Sequence, residues 1–269
     1  MSGANKSRGA TWIEALTAGA DPVAGYPASV RVVDAEVAGS PCRYLAVLPD
    51  PAHPYPRVRH GEVGLIEGWS LARAVHEVVA ADRGAPARAI VAVVDVSSQA
   101  YGRREEAFGI HQALAGAAAA YASARLAGHP VIGLLVGRAM SGAFLAHGYQ
   151  ANRLIALDDE GVLVHAMGQA AAARVTLRSV DELQRLAAAV PPTAYDIRSY
   201  ASLGLLWQLL EVHDAGRPDA HDLGLVRDAL AAAWRDIRSD PQPDLRCRLG
   251  GVNRQATSRG MALSRPAPW

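Results

Sequence analysis

Cysteine is scarce in this sequence, and long hydrophobic runs are missing. The two cysteines, Cys42 and Cys247, lie far apart, and neither has a second cysteine nearby with which to form a metal-ligand pair. No apolar run reaches the roughly 18 residues needed to span a bilayer. The polar segment 1–9 has no apolar stretch behind it, which argues against a signal peptide. We therefore expect a soluble, cytoplasmic protein with reduced thiols.

An excess of charge and the common cofactor motifs are missing as well. The formal net charge of the 269 residues is +1, so the composition gives no electrostatic reason to expect nucleic acid or a membrane as a partner. The sequence contains no GxGxxG fingerprint, no Walker A motif, no His-Glu-x-x-His and no paired CxxC. It predicts neither a bound metal ion nor a directly bound nucleotide cofactor.

Alternating strand and helix patterns dominate the middle of the chain. Three apolar runs, 90–96, 131–136 and 153–157, are separated by predicted helices at 105–127 and 141–150. Buried strands that alternate with helices indicate an α/β fold with a largely parallel sheet. The first of these helices is rich in alanine and glycine, which indicates that another element packs closely against it.

The flanking segments carry weaker patterns. Residues 29–37 and 43–48 predict a strand hairpin, and residues 49–64, with four prolines, predict a loop. Further helices are predicted at residues 12–18, 65–83, 179–189, 201–213 and 222–238, and a short strand at 162–166. We assign residues 1–238 to one domain and residues 239–269, which show no periodicity, to a tail with four prolines and five arginines.

Two segments in which a predicted strand gives way to a helix carry the candidate chemistry. We call residues 97–102, Ser-Ser-Gln-Ala-Tyr-Gly, the first junction, and residues 137–144, Gly-Arg-Ala-Met-Ser-Gly-Ala-Phe, the second junction. The first N–H groups of a helix have no partner inside the helix, and small residues leave them accessible. Both junctions therefore suit the stabilisation of an oxyanion. The alternative is structural: a capped turn at the first and close helix–strand packing at the second.

The central region also contains four histidines: His111, His129, His147 and His165. A lone histidine is most often a hydrogen-bonded structural residue. His165 stands at the end of a predicted strand, and it is the candidate for a catalytic role.

A serine hydrolase is the competing enzyme class. Ser98 or Ser141 would be the nucleophile, with His111 or His165 as the base. Residue 139 is alanine, however, where the G-x-S-x-G nucleophile elbow begins with glycine. No partner acid is marked by the sequence, so the hydrolase reading is the weaker one.

Several segments resemble the acyl-CoA carboxyltransferases of the crotonase-like superfamily, and in particular the gamma subunits of biotin-independent malonate decarboxylases. The similar segments are residues 12–16, 93–96, 106–110, 130–132, 152–157 and 164–168, together with the second junction. The resemblance covers about residues 12–237. It implies an α/β, crotonase/ClpP-like fold with stacked β-β-α units in a single domain.

The departures from this pattern concern biotin. Carboxyltransferases that handle biotin usually have Pro-Gly-Phe where this chain has Ser97-Ser98-Gln99, and paired glycines where it has Ser141-Gly142. The resemblance therefore favours the biotin-independent family.

The resemblance implies a reaction and a set of partners. A malonyl thioester on the dephospho-coenzyme A-type prosthetic group of an acyl carrier protein loses CO₂ through an enolate and becomes the acetyl thioester. An acyl-transferase subunit then exchanges acetyl for malonate. The active site is implied to lie between this chain and a homologous beta subunit, and no cofactor is bound directly by this chain.

The site residues that we assign on this basis are Ser98, Gln99, Ser141, Gly142, Ala143 and His165. Their expected roles are to orient the departing carboxylate and to donate N–H groups. We also expect the isolated chain to expose a large apolar face and to be inactive. Two alternatives stay open: a subunit of a biotin-dependent carboxyltransferase, and a scaffold subunit without catalytic groups.

Overall fold

Seven strands between residues 30 and 210 form one sheet, on which helices pack. The computed structural model describes residues 6–249. Its strands are β1 (Val30–Val37), β2 (Ser40–Val47), β3 (Ala89–Val96), β4 (Val131–Met140), β5 (Arg153–Leu157), β6 (Val164–His165) and β7 (Gln208–Leu210). Its helices are α1 (Arg8–Leu16), α2 (Leu65–Ala81), α3 (Arg103–Ala107), α4 (Ile110–Leu126), α5 (Ser141–Ala146), α6 (Gln169–Thr176), α7 (Val180–Ala189), α8 (Ile197–Ser202) and α9 (Ala220–Ser239).

The parallel strands β3 and β4 bring the two junctions to the same end of the sheet. Its strand order is β1-β2-β3-β4-β5-β7, and β6 pairs with the far end of β4. The strands β1 and β2 form an antiparallel hairpin, and the other pairs are parallel. Because β3 and β4 are parallel neighbours, both junctions follow the carboxyl ends of adjacent strands, where ligands of α/β proteins bind. The predicted hairpin and the largely parallel sheet are confirmed.

Close contacts hold the helices of the fold in place. The helices α2 and α4 lie against each other, and a Cβ atom on Gly68 would come within 2.7 Å of the carbonyl oxygen of Ala113. The close approach predicted from the small residues of α4 is therefore present. The buried Trp12 of α1 donates its indole N–H to the carbonyl of Ala215 at 2.8 Å. Within residues 6–249, no helix has the length and apolar character that crossing a membrane requires.

Two of the predicted helices are interrupted or replaced in the structure, and those predicted at 12–18 and 141–150 are observed as α1 and α5 with different bounds. The helix predicted at 105–127 is divided into α3 and α4 by Gly109, which has a left-handed φ of +81°. The helix predicted at 201–213 is wrong, because only the first two residues of that segment belong to α8 and the segment contains β7. The apolar run 205–210 fits a buried strand and a buried helix equally well, and only its pairing with β5 decides.

The beginning of the predicted tail contacts the domain. Arg153 of β5 pairs with Asp240, with 2.9 Å between Nη2 and Oδ2. The buried Arg248 donates to the carbonyl oxygen of Tyr149 at 2.6 Å. The residues from 250 onwards lie outside the described part of the chain, and the boundary at 238 stays a prediction.

A buried histidine ties three elements together behind the junctions. His147, fully buried, lies 3.0 Å from the carbonyl oxygen of Val93 through Nε2 and 3.0 Å from the hydroxyl of Tyr121 through Nδ1. A ring that donates to the carbonyl and accepts from the hydroxyl is neutral. Burial lowers the pKa of His147 to about 4, because it disfavours the charged ring.

Because of His147, the free energy of unfolding is expected to depend on pH in the acid range. The unfolded chain takes up a proton at this residue as the pH falls below the ordinary value of 6.5, whereas the folded chain does not. The contribution is therefore complete above pH 6.5 and declines towards pH 4, by up to about 3 kcal/mol. Urea unfolding of the full chain at a series of pH values should show this decline in the wild type. It should be shallower in His147→Gln and unchanged in His111→Gln, whose histidine is exposed.

Candidate active site at two strand-to-helix junctions

The two junctions are in direct contact. The N–H of Gly142, in the first turn of α5, donates to Oε1 of Gln99 at 2.9 Å. The donor that the sequence assigns to a ligand is thus occupied by a side-chain amide oxygen of the other junction. An amide oxygen in this place stands where a carboxylate or oxyanion oxygen would accept the same hydrogen bond.

The first junction is anchored by Val63, which precedes α2. The N–H of Val63 donates to the carbonyl of Ser98 at 3.0 Å, and the N–H of Ala100 donates to the carbonyl of Val63 at 2.8 Å. These bonds hold the backbone on both sides of Gln99. The hydroxyl of Ser98 donates to the carbonyl of Gln99 at 2.9 Å.

The second junction begins in a bulge of β4 that Asp95 fills. Val94 pairs with Leu135, but Val96 pairs with Ala139, so β4 has two more residues than β3 between these pairs. The carboxylate of Asp95 accepts the N–H of Arg138 at 3.2 Å within this bulge.

Asp95 also holds α1 and requires glycine at position 137. Its second oxygen accepts the N–H of Gly9 at 3.1 Å, which ties the start of α1 to the bulge. A Cβ atom on Gly137 would lie 2.1 Å from the carboxylate oxygen of Asp95. The glycine of the second junction is therefore a space requirement of this carboxylate.

Ser141 has a left-handed backbone conformation at the turn from β4 into α5. Its φ is +58°, which is uncommon for a residue with a side chain. Its hydroxyl donates to the carbonyl of Ala166 at 2.6 Å, and this bond fastens the turn to the end of β6. Backbone strain of this kind is concentrated at functional sites.

His165, the last residue of β6, is held by backbone contacts and by ring stacking. Its Nδ1 is within hydrogen-bond distance of the N–H of Met167 at 3.2 Å and of the carbonyl of the same residue at 2.9 Å. Its ring stacks on Tyr195, with 3.8 Å between the ring centroids. Since Nδ1 is engaged, Nε2 is the ring nitrogen left for a ligand. Burial lowers the pKa of His165, so the neutral ring is favoured.

A cavity of about 400 Å³ opens between α5 and the segment from β6 to α8. Ser141, Gly142 and His165 form its polar side. The remaining lining residues are Phe144, Leu145, Tyr149, Val164, Ala166, Pro191, Pro192, Ala194, Tyr200, Leu203 and Leu205. A mostly apolar pocket with a few convergent polar groups has the character of a small-molecule site.

Of the predicted site residues, the structure brings Gln99 to Gly142, and Ser141, Gly142 and His165 to one cavity. Ala143 is fully buried in α5. Ser98 is not among the residues that line the cavity.

The other histidines and the two candidate nucleophilic serines lack the contacts that a catalytic role would require. His129 is buried and lies 3.0 Å through Nδ1 from the carbonyl of Arg88, a structural contact. His111 is exposed on α4. The hydroxyls of Ser98 and Ser141 both donate to backbone carbonyls, so neither is aligned with a histidine as a nucleophile requires.

Asp95, Val63 and Tyr195 are residues of the site that the sequence reasoning missed. Asp95 carries a readable signal, since it is a charged residue inside an otherwise apolar strand. Val63 and Tyr195 act through backbone pairing and ring stacking, for which their sequence context gives no sign.

The sheet and its paired junctions define a carboxyltransferase-like protein of the crotonase fold class. Two structures of transcarboxylase 12S share this fold, with TM-scores of 0.64 and 0.65 at 20% identity. They cover 85% and 88% of this chain, and 42% and 41% of theirs. The predicted fold class is confirmed.

The particular family follows from closer similarities. The family model of the malonate decarboxylase gamma subunit matches residues 58–264. The chain belongs to this family, as the sequence predicts.

Solved structures and a curated relative agree with this membership. The chain is 65% identical to a chain in a Pseudomonas malonate decarboxylase hetero-tetramer in complex with coenzyme A, with a TM-score of 0.91, and the match covers 96% of this chain and 98% of that one. A chain of the Pseudomonas MdcD-MdcE hetero-dimer is 63% identical, with a TM-score of 0.88 and the same coverage.

The curated relative is the malonyl-S-ACP:biotin-protein carboxyltransferase MADD of Malonomonas rubra. It is 34% identical over 167 residues, which are 61% of this chain and 57% of the relative. The chain thus matches little more than half the length of that relative.

Proposed function

We propose that this chain is the gamma subunit of a biotin-independent malonate decarboxylase and supplies one wall of its active site. With a homologous beta subunit it decarboxylates a malonyl thioester on an acyl carrier protein to the acetyl thioester. The observation that carries the proposal is the contact of Gln99 with Gly142 beside the cavity that His165 lines. It supplies hydrogen-bonding groups at the edge of an otherwise apolar space.

The chemistry requires charge to move. As the bond between the carboxylate carbon and Cα breaks, its electron pair passes into the thioester and forms an enolate, CO₂ leaves, and a proton then adds to Cα. The substrate carboxylate would replace the Gln99 oxygen at the Gly142 N–H. His165 would be a second donor through Nε2–H, in the tautomer whose Nδ1 accepts the N–H of Met167 at 3.2 Å. Apolar walls favour neutral CO₂ over the solvated carboxylate, so they assist the loss of charge at this position.

The partners are proposed from the relatives and from the surface. Similar chains are described in a hetero-tetramer and in an MdcD-MdcE hetero-dimer, which supports a beta subunit as partner. Three large apolar side chains near the junctions, Tyr101, Phe108 and Leu145, are 63%, 61% and 52% exposed. A second subunit that covers them would exclude water from the site.

The carrier and the compartment are further parts of the proposal. The name of the relative MADD includes malonyl-S-ACP, which supports an acyl carrier protein as substrate donor. The acyl-transferase subunit and the dephospho-coenzyme A-type prosthetic group, which arrives as part of the substrate, rest on the family resemblance. Cys42 and Cys247 are unpaired thiols, which supports the cytoplasm as the compartment.

A pH profile tests the role of His165. Its lowered pKa places protonation below the ordinary value of 6.5. A cationic ring beside the carboxylate stabilises the ground state more than the transition state, in which the charge has moved to the enolate. We expect kcat of the assembled complex to fall on the acid side of pH 6.5 without a rise in KM. The acid limb should be missing from His165→Gln, and a limb retained in that variant would refute the role.

A biotin-dependent carboxyltransferase is the second candidate function, because MADD transfers the carboxyl group to a biotin protein according to its name. Avidin sequesters biotin and separates the two. Under our proposal, release of CO₂ from a malonyl thioester by the assembled complex is unaffected by avidin. Complete inhibition by avidin would establish the second candidate.

A further inference from the structure

A buried cluster of polar side chains lies next to the first junction, outside the cavity. Glu67, in the first turn of α2, is 0% exposed, Ser29 is 0% exposed and His53 is 1% exposed. The three residues come from separate segments: the start of β1, the proline-rich loop and α2. Burying a carboxyl group is costly unless several donors compensate for the lost water.

The Glu67 carboxyl group collects those donors. Its Oε1 accepts the hydroxyl of Ser29 at 2.6 Å and lies 3.0 Å from Nε2 of His53, somewhat off the direction of the ring N–H. Its Oε2 accepts the N–H of Gly64 at 3.0 Å. Nδ1 of His53 lies 3.1 Å from the N–H of Tyr55 and 3.2 Å from the carbonyl oxygen of the same residue. In the tautomer that accepts the Tyr55 N–H, the ring proton is on Nε2 and faces Glu67.

The cluster holds the residue pair Val63-Gly64 in place, and this pair is hydrogen-bonded to the first junction. Gly64 is bound by Glu67, and Val63 makes the two backbone hydrogen bonds on either side of Gln99. A Cβ atom on Gly64 would lie 2.8 Å from Val58 and 3.3 Å from Ala100, so Gly64 is packed closely against the first junction. The place of the Gln99 side chain thus depends on atoms that do not touch the cavity.

We propose that Ser29, His53 and Glu67 form a positioning cluster that sets Gln99 against Gly142 for the reaction. The inference rests on the proposed function: the substrate carboxylate replaces the Gln99 oxygen at the Gly142 N–H, and the Gln99 amide, still held beside Gly142 by the first junction, orients that carboxylate. A small displacement of a positioning contact lowers the rate of the chemical step while leaving the substrate affinity nearly unchanged.

Two substitutions disrupt the cluster in different ways. In Glu67→Gln, the side-chain NH₂ group cannot accept from Ser29 or from Gly64. In His53→Leu, the polar contact of 3.0 Å between Nε2 of His53 and Oε1 of Glu67 is lost. In His53→Gln, an amide N–H takes the place of Nε2–H, so this variant should restore the wild-type behaviour.

A matched control exists at α9. Asp222 is also a fully buried acid in the first turn of a helix, and it accepts the N–H of His213 at 2.8 Å and that of Asp214 at 3.2 Å. Asp222→Asn therefore removes a comparable buried acid that binds the segment 213–214 before α9 rather than Gly64.

The experiment combines kinetics with amide hydrogen exchange in the assembled complex. For Glu67→Gln and His53→Leu we expect a decrease in kcat of about 10- to 100-fold with KM little changed. The amides of Ala100 and Gly142 should exchange about tenfold faster or more. Asp222→Asn should leave both readouts at these positions as in the wild type.

Different failures identify different errors. Unchanged exchange at Ala100 and Gly142 in both disruptive variants, or the same loss of kcat in Asp222→Asn, would overturn the positioning role. Faster exchange with unchanged kcat would show that the position of Gln99 does not affect the reaction, and this result would also overturn the inference. A wild-type complex that does not release CO₂ would instead refute the proposed function itself.

Discussion

Replacing Gly142 with valine in the assembled complex is expected to lower kcat for decarboxylation by about 100-fold or more. A Cβ atom at this position would lie 3.4 Å from Oε1 of Gln99 and 3.5 Å from a methyl group of Leu114. One methyl group therefore just fits, but the two further methyl groups of valine do not. They separate the junctions and intrude where the substrate carboxylate is proposed to bind.

Gly142→Ala is the matched control for this substitution. Its single methyl group makes contacts near the ordinary van der Waals distance, so we expect a decrease of only a few-fold in kcat. Assembly of both variants is checked by sedimentation. Full activity of Gly142→Val in an intact complex would leave the second junction without a catalytic role and would favour the scaffold alternative.

Replacing Gly137 with alanine is expected to destabilise the folded chain by about 3 kcal/mol. The added Cβ atom would lie 2.1 Å from Oδ1 and 2.6 Å from Cγ of Asp95. The carboxylate has to leave the bulge, and the N–H groups of Gly9 and Arg138 lose their acceptor. Urea unfolding, followed by tryptophan fluorescence, measures the loss.

A second glycine-to-alanine substitution is expected to change the free energy of unfolding in the opposite direction. Gly224 lies inside α9, and a Cβ atom there would have no neighbour within 4 Å. Gly224→Ala should stabilise the chain by about 0.5–1 kcal/mol, because alanine restricts the unfolded backbone and favours the helix. If both variants were destabilised equally, the space requirement of Asp95 would not explain Gly137.

The central part of the fold was predictable because its strands are continuous apolar runs. Residues 90–96, 131–136 and 153–157 lie within β3, β4 and β5, because strands that are buried on both faces have near-continuous runs of valine, isoleucine and leucine. The run 205–210 was not predictable by the same rule, because its pairing with β5 is a tertiary contact. The helix α6 was not predicted.

The two junctions were predictable as places where a strand gives way to a helix, whereas their geometry was not. Small residues marked the second junction, but the left-handed φ of Ser141 and the bond from Gly142 to Gln99 are set by the packing of distant segments. Likewise, Glu67 reads as an ordinary charged residue near the start of a helix, where it is in fact fully buried. Patterns along the chain reveal local conformation, whereas these contacts join residues that are far apart in sequence.

The measurement that tests the central claim most directly is a single-turnover release of labelled CO₂ from a malonyl thioester on the carrier protein. It compares this chain alone, the beta subunit alone and the two combined. If the junctions at Gln99 and Gly142 form one wall of a shared site, each subunit alone releases CO₂ at the background rate, and only the combination is active. A beta subunit that reaches the full rate without this chain would contradict the claim.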